Sequence, residues 1–374
     1  MKRIFIVFFS FIIPLVVGKL KNQEPTKKKD KSFSIINSAT KKPINIIFML
    51  PLFLGPEEMN HNNKKLSDHA LSFYLGAKTA IDFILSFQQK QKINIKIFDT
   101  KNEKKRIIHF VQSYDLSKTH VIIGPFFRSS LEEVAKNNKK IPIISPFISS
   151  DYLNYYPNII QAEVRDSFLI EPILEEIKMI DKNQKVNTLY LLGEDPFQKI
   201  TNFVKKKLSN QHFHVFHFEK NFSHIFIKKT PFFVIFLGGN SILGKEFISF
   251  IKKFSVKKII PFGIGFNDIF YQNISLLKEY KFFFTTKYHL DIDDKNKKKM
   301  FFFIKKKLGD HLNQYQLLGF DLSYDILYKL IINNNLFQII DKKSFSGLVR
   351  KYRYEKISKI GGYFNKGLWV VRLY

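Results

Sequence analysis

Between Ile44 and Phe262 short apolar runs alternate with amphipathic segments, and the alternation occurs twice over. Ile44 to Pro51 is almost wholly apolar, the pattern of a strand buried on both faces of a sheet. A helix is predicted from Ser67 to Gln88, because Ala70, Leu71, Tyr74, Ala77, Ile81 and Ile84 or Leu85 recur at three and four, with Ser67 as its cap. Strands at 93–98, 120–123 and 141–145 then alternate with helices at 103–114 and 129–138. After Ser167 a second series follows: helix to Ile180, strand 186–192, helix 197–208, strands 214–218 and 232–237, helix 241–254 and strand 258–262. Parallel strands need crossovers, so each series folds into a doubly wound parallel sheet with helices on both faces. The tail departs from the alternation, with a strand near 282–287, helices at 295–308 and 316–333, and a closing hairpin through Gly361 and Gly362 to Arg372.

The N-terminus and the composition narrow the setting. Met1-Lys2-Arg3 precedes an apolar stretch from Ile4 to Val17, the order of a secretory signal over residues 1–18. A bilayer crossing takes about 20 apolar residues, so the stretch reads as a signal rather than an anchor, and no other membrane-spanning segment is expected once it is removed. Residues 19–42 are polar and lysine-rich, a flexible basic linker. Cysteine is absent, which excludes disulfides, cysteine-linked lipid and thiolate metal sites. The formal charge of +29 falls to +27 when Lys2 and Arg3 leave with the signal. Lysine dominates over the seven arginines and is spread through a chain rich in Ile, Asn and Phe, so the charge reads as solvated helix faces and not as specific nucleic-acid binding.

Four segments resemble the type I periplasmic-binding-protein (leucine-binding-protein-like) superfamily: Ile122-Ile123-Gly124-Pro125 with Ser129-Ser130, Ile141 to Pro146, Gly319-Phe320-Asp321 with Tyr324-Asp325, and Gly76-Ala77 in the first helix. Met49-Leu50-Pro51, Leu71 to Gly76 and Gly362 to Gly367 are also similar to envelope proteins of Bacteroidetes-type bacteria that pair this fold with a peptidoglycan-binding LysM module. No such module fits between Lys19 and Lys42. The Met-Leu-Pro opening resembles fold-sharing outer-membrane activators of peptidoglycan synthases as well.

The resemblance implies two lobes joined by a three-strand hinge, lobe one at 43–163 plus 289–335 and lobe two at 164–288 plus 336–374, with a ligand cleft between them. Ligands of open parallel sheets bind beyond the C-terminal strand ends, near helix N-termini. The candidate cleft residues are Arg128, Ser129, Ser130, Ile148, Ser149, Phe197, Asn240 and Phe266. By resemblance Ser129 and Ser149 match positions that hold a ligand carboxylate in amino-acid receptors, although serine is equally a cap or turn residue there. Phe197 falls where such receptors place a stacking tyrosine, and Gly265 or Phe266 where they place the acid for a ligand ammonium; Asp195 or Asp268 is an alternative acid. Phe53, Phe126, Phe127 and Phe147 would line the mouth, or close the lobes on each other.

Rival chemistries find little support. Gly239 to Lys245 has the spacing of a nucleotide-binding loop, but Glu246 stands where Ser or Thr would hold magnesium. His212 and His214 share a strand face with His217 opposite, and Asp291, Asp293 and Asp294 lack the glycine and closing glutamate of a calcium loop. The expectation is a non-enzymatic extracytoplasmic solute-binding-type protein of the periplasm or cell envelope, without cofactor. It would take a small molecule or peptidoglycan fragment in its cleft, with amino-acid transport as one role and an ABC transporter or cell-wall synthase as partner. The alternative is a wall-associated scaffold or regulator of peptidoglycan synthesis with a degenerate cleft.

Overall fold

The computed structural model describes residues 42–55, 60–184, 186, 188–195, 198–208, 213–222, 225 and 231–374. The signal, the linker up to residue 41, Phe197 and His212 lie outside them. The first sheet has the order β13-β14-β5-β4-β3-β1-β2, built from β1 (Ile44–Leu50), β2 (Ile93–Asp99), β3 (Val121–Ile123), β4 (Ile143–Ser145), β5 (Ile159–Val164), β13 (Tyr354–Lys356) and β14 (Tyr363–Asn365). The second has the order β15-β10-β9-β8-β6-β7, from β6 (Thr188–Leu192), β7 (His214–Phe218), β8 (Phe232–Phe236), β9 (Ile259–Ile264), β10 (Phe283–Thr286) and β15 (Trp369–Arg372). β11 (Phe345–Ser346) and β12 (Lys351–Tyr352) form a small antiparallel ribbon. Pairing within the central strands of both sheets is parallel, and antiparallel partners occur at one edge of each, where β13 meets β14 and β15 meets β10.

Alternation along the strands divides each sheet between two cores. Ile44, Ile46, Phe48 and Leu50 of β1 face the core formed with α1 (His61–Phe87) and α10 (Gln314–Ile332), whereas Ile47 and Met49 face that formed with α2 (Lys104–Ser113) and α3 (Arg128–Asn137). In β8, Phe232, Val234 and Phe236 face α6 (Ser241–Ile251), α7 (Asp268–Gln272) and α8 (Ile274–Glu279), while Phe233 and Ile235 face α4 (Asp166–Gln184) and α5 (Lys199–Leu208). With side chains buried on both faces, these strands read as unbroken apolar runs.

Several expectations need correction. α1 begins six residues before Ser67, because Asn60 caps it by accepting from Asn63 N, and the Ser67 hydroxyl instead donates to Leu52 O at 2.7 Å. β5, α7 and α8 were not anticipated; Gln161 and Glu163 interrupt the apolar signal of β5, and α7 and α8 are only five and six residues long. α1 is long and apolar enough to cross a membrane, contrary to the expectation of no further candidate, but 44% of its most apolar window is buried inside the protein. The closing hairpin splits, with β13 and β14 pairing in the first sheet and β15 alone crossing to the second. Residues 336–365, assigned to lobe two, therefore lie with lobe one: Leu336, Leu348, Tyr352, Tyr354 and Tyr363 join its core, since the pairing of β14 with β5 holds this segment there. Three crossings join the lobes, near residues 164–166, 287–289 and 365–369.

Candidate functional site

On lobe one, α3 follows β3 after the loop 124–127. Its N-cap is Phe127, whose side chain cannot accept a hydrogen bond, so no side chain caps the first N–H groups of this helix. Arg128 is exposed, its guanidinium 4.7 Å over the Tyr152 ring and its Nε 3.5 Å from Glu132. Ser129 is half-buried beside it. Ser130, by contrast, is buried, and its hydroxyl donates to Asn102 Oδ1 at 3.4 Å.

The next loop is occupied by its own contacts. Ser145 Oγ donates to Ile148 O at 2.7 Å, and Ile148 packs on the core behind the sheet. Ser149 Oγ donates to Gln161 Oε1 at 3.2 Å and accepts from Arg165 Nε at 3.3 Å. Gln161 also accepts from Ser150 N at 2.7 Å, while Arg165 donates to Asp151 Oδ1 at 2.7 Å and Asn154 Oδ1 at 2.5 Å. The Ser149 hydroxyl is thus a member of an internal polar chain. The phenylalanines behave likewise: Phe126 and Phe147 meet at 4.8 Å and both contact Phe73, and Phe53 is buried. Leu52 and Phe53 N–H donate to Asp99 Oδ1, and Leu54 N–H to Asp99 Oδ2, which holds that loop.

Lobe two presents helix starts that cap themselves. Asp195 is buried and accepts from Thr201 N at 2.7 Å at the start of α5. Asn240 accepts from Ile242 N and Leu243 N at the start of α6, and Asn267 from Ile269 N at the start of α7. Phe266 is half-buried against Tyr271, with ring centroids 5.4 Å apart. Asp268 lies in the first turn of α7 next to that cap. The structure therefore leaves Arg128 exposed and Ser129 half-buried, engages Ser149, Asp195 and Asn240 in local bonds, and packs Ser130 and Ile148 inward.

The rival motifs resolve into structural roles. Ser241 to Lys245 is the first part of α6, with Gly244 inside the helix, and the Glu246 carboxylate accepts from Phe222 N. His217 Nε2 lies 3.0 Å from Gly193 O, and Asp291 pairs with Lys297 while Asp294 caps α9 (Lys295–Leu308). Among the described residues no group of three or more His, Cys, Asp or Glu gathers as a metal site would require.

Sequence reasoning missed the cluster that binds the crossings. Arg350, buried, donates through Nη2 to Glu163 Oε2 at 2.5 Å and to the Tyr288 hydroxyl, and through Nη1 to Pro146 O at 3.3 Å. Lys287 Nζ joins Glu163 Oε1 at 3.1 Å to Asp166 Oδ1 at 2.8 Å, and Trp369 Nε1 donates to Val349 O at 2.9 Å. Burial opposes the charge on both cations, but Glu163 raises both, with help from Tyr288 at Arg350 and from Asp166 at Lys287. Arg350 lies 187 positions from Glu163 and 204 from Pro146, so no local spacing announces the cluster.

No protein-family model matches the chain, and no curated protein matches it. Solved structures do. A putative branched-chain amino acid ABC transporter from Rhodospirillum rubrum superposes with a TM-score of 0.62 at 11% identity, over 89% of this chain and 100% of that one. A branched chain amino acid ABC transporter periplasmic ligand-binding protein from Burkholderia xenovorans gives 0.52 at 11% identity, over 88% and 90%. Full-length LpoA from Haemophilus influenzae gives 0.57 at 11% identity; the match covers 90% of this chain and 60% of that larger one. Two parallel-dominated sheets, each flanked by helices and matched over most of the chain by these structures, give this chain the type I periplasmic-binding-protein fold.

Proposed function

We propose that the chain is a non-enzymatic extracytoplasmic binding protein that receives the anionic group of a small ligand or envelope fragment between its lobes, at the start of α3. The observation that carries this reading is the α3 N-terminus itself. It has no side-chain cap, and Arg128 and Ser129 flank its free N–H groups. Unsatisfied N–H groups and the helix dipole favour an anion there. A free amino acid fits lobe two less well, because Asp195, one of the two alternative acids for its ammonium group, is already engaged by α5. A thermal-shift screen of acidic solutes and peptidoglycan fragments tests the proposal, since a ligand of the folded state raises the midpoint by mass action. One solute should raise it, and Ser129→Ala with Arg128→Ala should abolish the rise; a solute whose effect survives both changes would place its site elsewhere.

The self-capped helix starts of lobe two favour a second reading, a cell-wall-associated scaffold or regulator with a degenerate cleft. No midpoint shift with any solute, together with retention on purified cell wall, would support that reading over the first.

A further inference from the structure

α9 carries a surface that the cleft does not use. Its inward face is formed by Met300 and Ile304 in the lobe-one core, by Phe303 against Phe83 of α1 at 5.1 Å, and by Lys297, paired with Asp291. On the opposite side Lys295, Lys298, Lys299, Lys305 and Lys306 stand three, four or seven residues from Phe302, so they surround it on one helix face. Phe302 is 65% exposed, and no acid occurs between Lys295 and Leu308. Asp310 beyond the helix pairs with Lys305 at 2.8 Å.

A lysine-rich helix needs no partner to be stable in water, but a large aromatic ring held outward at its centre gains nothing there. An anionic bilayer surface satisfies both parts. The ammonium groups sit among lipid phosphates while the ring enters the boundary between headgroups and acyl chains. A soluble polyanion would satisfy only the charges. We propose that the exposed face of α9 is a docking surface for an anionic lipid membrane, with Phe302 as the inserted group and Lys298, Lys299 and Lys306 as principal contacts. This goes beyond the cleft reading and does not depend on it.

The test uses the full chain carrying Phe302→Trp, with vesicles of equal parts phosphatidylglycerol and phosphatidylcholine or of phosphatidylcholine alone. The only native tryptophan, Trp369, is 1% exposed in the interior, so a change in emission on binding reports the new residue. Emission should shift to the blue and be quenched by brominated lipid on the anionic vesicles only. Because the reporter is on α9, insertion of the apolar N-terminal stretch does not mimic this signal. Adding Lys298→Glu, Lys299→Glu and Lys306→Glu should weaken binding to the anionic vesicles, read as the lipid concentration needed for the shift, on the order of a hundredfold, given about fivefold per basic residue near such a surface. Unchanged emission on anionic vesicles overturns the proposal. So does equal quenching on neutral vesicles, or a charge-dependent association with heparin without insertion into lipid. The three lysines are exposed, so an unaltered melting midpoint in the charge-reversed chain separates lost docking from lost folding.

Discussion

Asp321 shows how a recognisable residue acts in an unexpected place. Its carboxylate accepts from Leu348 N and Val349 N at 2.8 Å and from Arg350 N at 3.1 Å, so it fixes the turn that presents Arg350 to the crossings. The segment around Gly319 to Asp325 carries the family likeness, and its aspartate is structural. Asp321→Ala would leave three buried N–H groups without their acceptor, at about 1–3 kcal/mol for each one left unsatisfied. We expect a loss of about 3–5 kcal/mol in chemical denaturation. Burial raises Asp321 to about 6, against the opposing effect of its three N–H bonds. The folded chain then holds this proton more tightly than the unfolded chain. The stabilisation is fully present below 3.8, the ordinary aspartate value, and is lost as pH rises through about 6. Asp321→Asn should remove that part of the pH dependence; an unchanged slope between those values would show that Asp321 is not its source.

Among elements, the crossing of α1 and α10 is the tightest helix contact of lobe one. A Cβ on Gly76 would stand 1.9 Å from Gln316 O, and one on Gly319 would stand 2.0 Å from Phe73 O. Each glycine admits the backbone of the other helix. Alanine at 319 would gain about 1 kcal/mol of helix propensity, yet it would force the helices apart. Gly319→Ala is therefore expected to lower stability by about 2 kcal/mol or more, read as a fall in the melting midpoint, and a rise would refute the close approach. The existence of most elements was legible in the sequence because buried strands and amphipathic helices have distinct periods. Their ends were less so. The α1 start depended on which of several polar residues met a free N–H, and β5 carries buried Gln161, bonded to the loop before it, and half-buried Glu163, whose partner Arg350 comes from a distant segment.

At the scale of the molecule, Arg350 connects the crossings. Glu163 lies at the first and Tyr288 at the second, while the neighbouring Val349 carbonyl receives Trp369 of the third. Arg350→Met should lower stability by about 3–5 kcal/mol, because Glu163 would lose one of its two cationic partners in a largely buried position. Small-angle scattering should also show a broader range of lobe separations in this variant; an unchanged profile would mean that the other contacts fix the lobes. Sequence alone determined the alternating pattern, and with it two doubly wound sheets, because burial on both faces of a strand must be written into consecutive residues. Tertiary structure decided which lobe holds residues 336–365, that Ser149 and Asp195 are engaged within their own loops, and that α3 lacks the side-chain cap that the starts of α5, α6 and α7 have. Those outcomes depend on partners brought together by long-range strand pairing, and neighbouring residues carry no record of them.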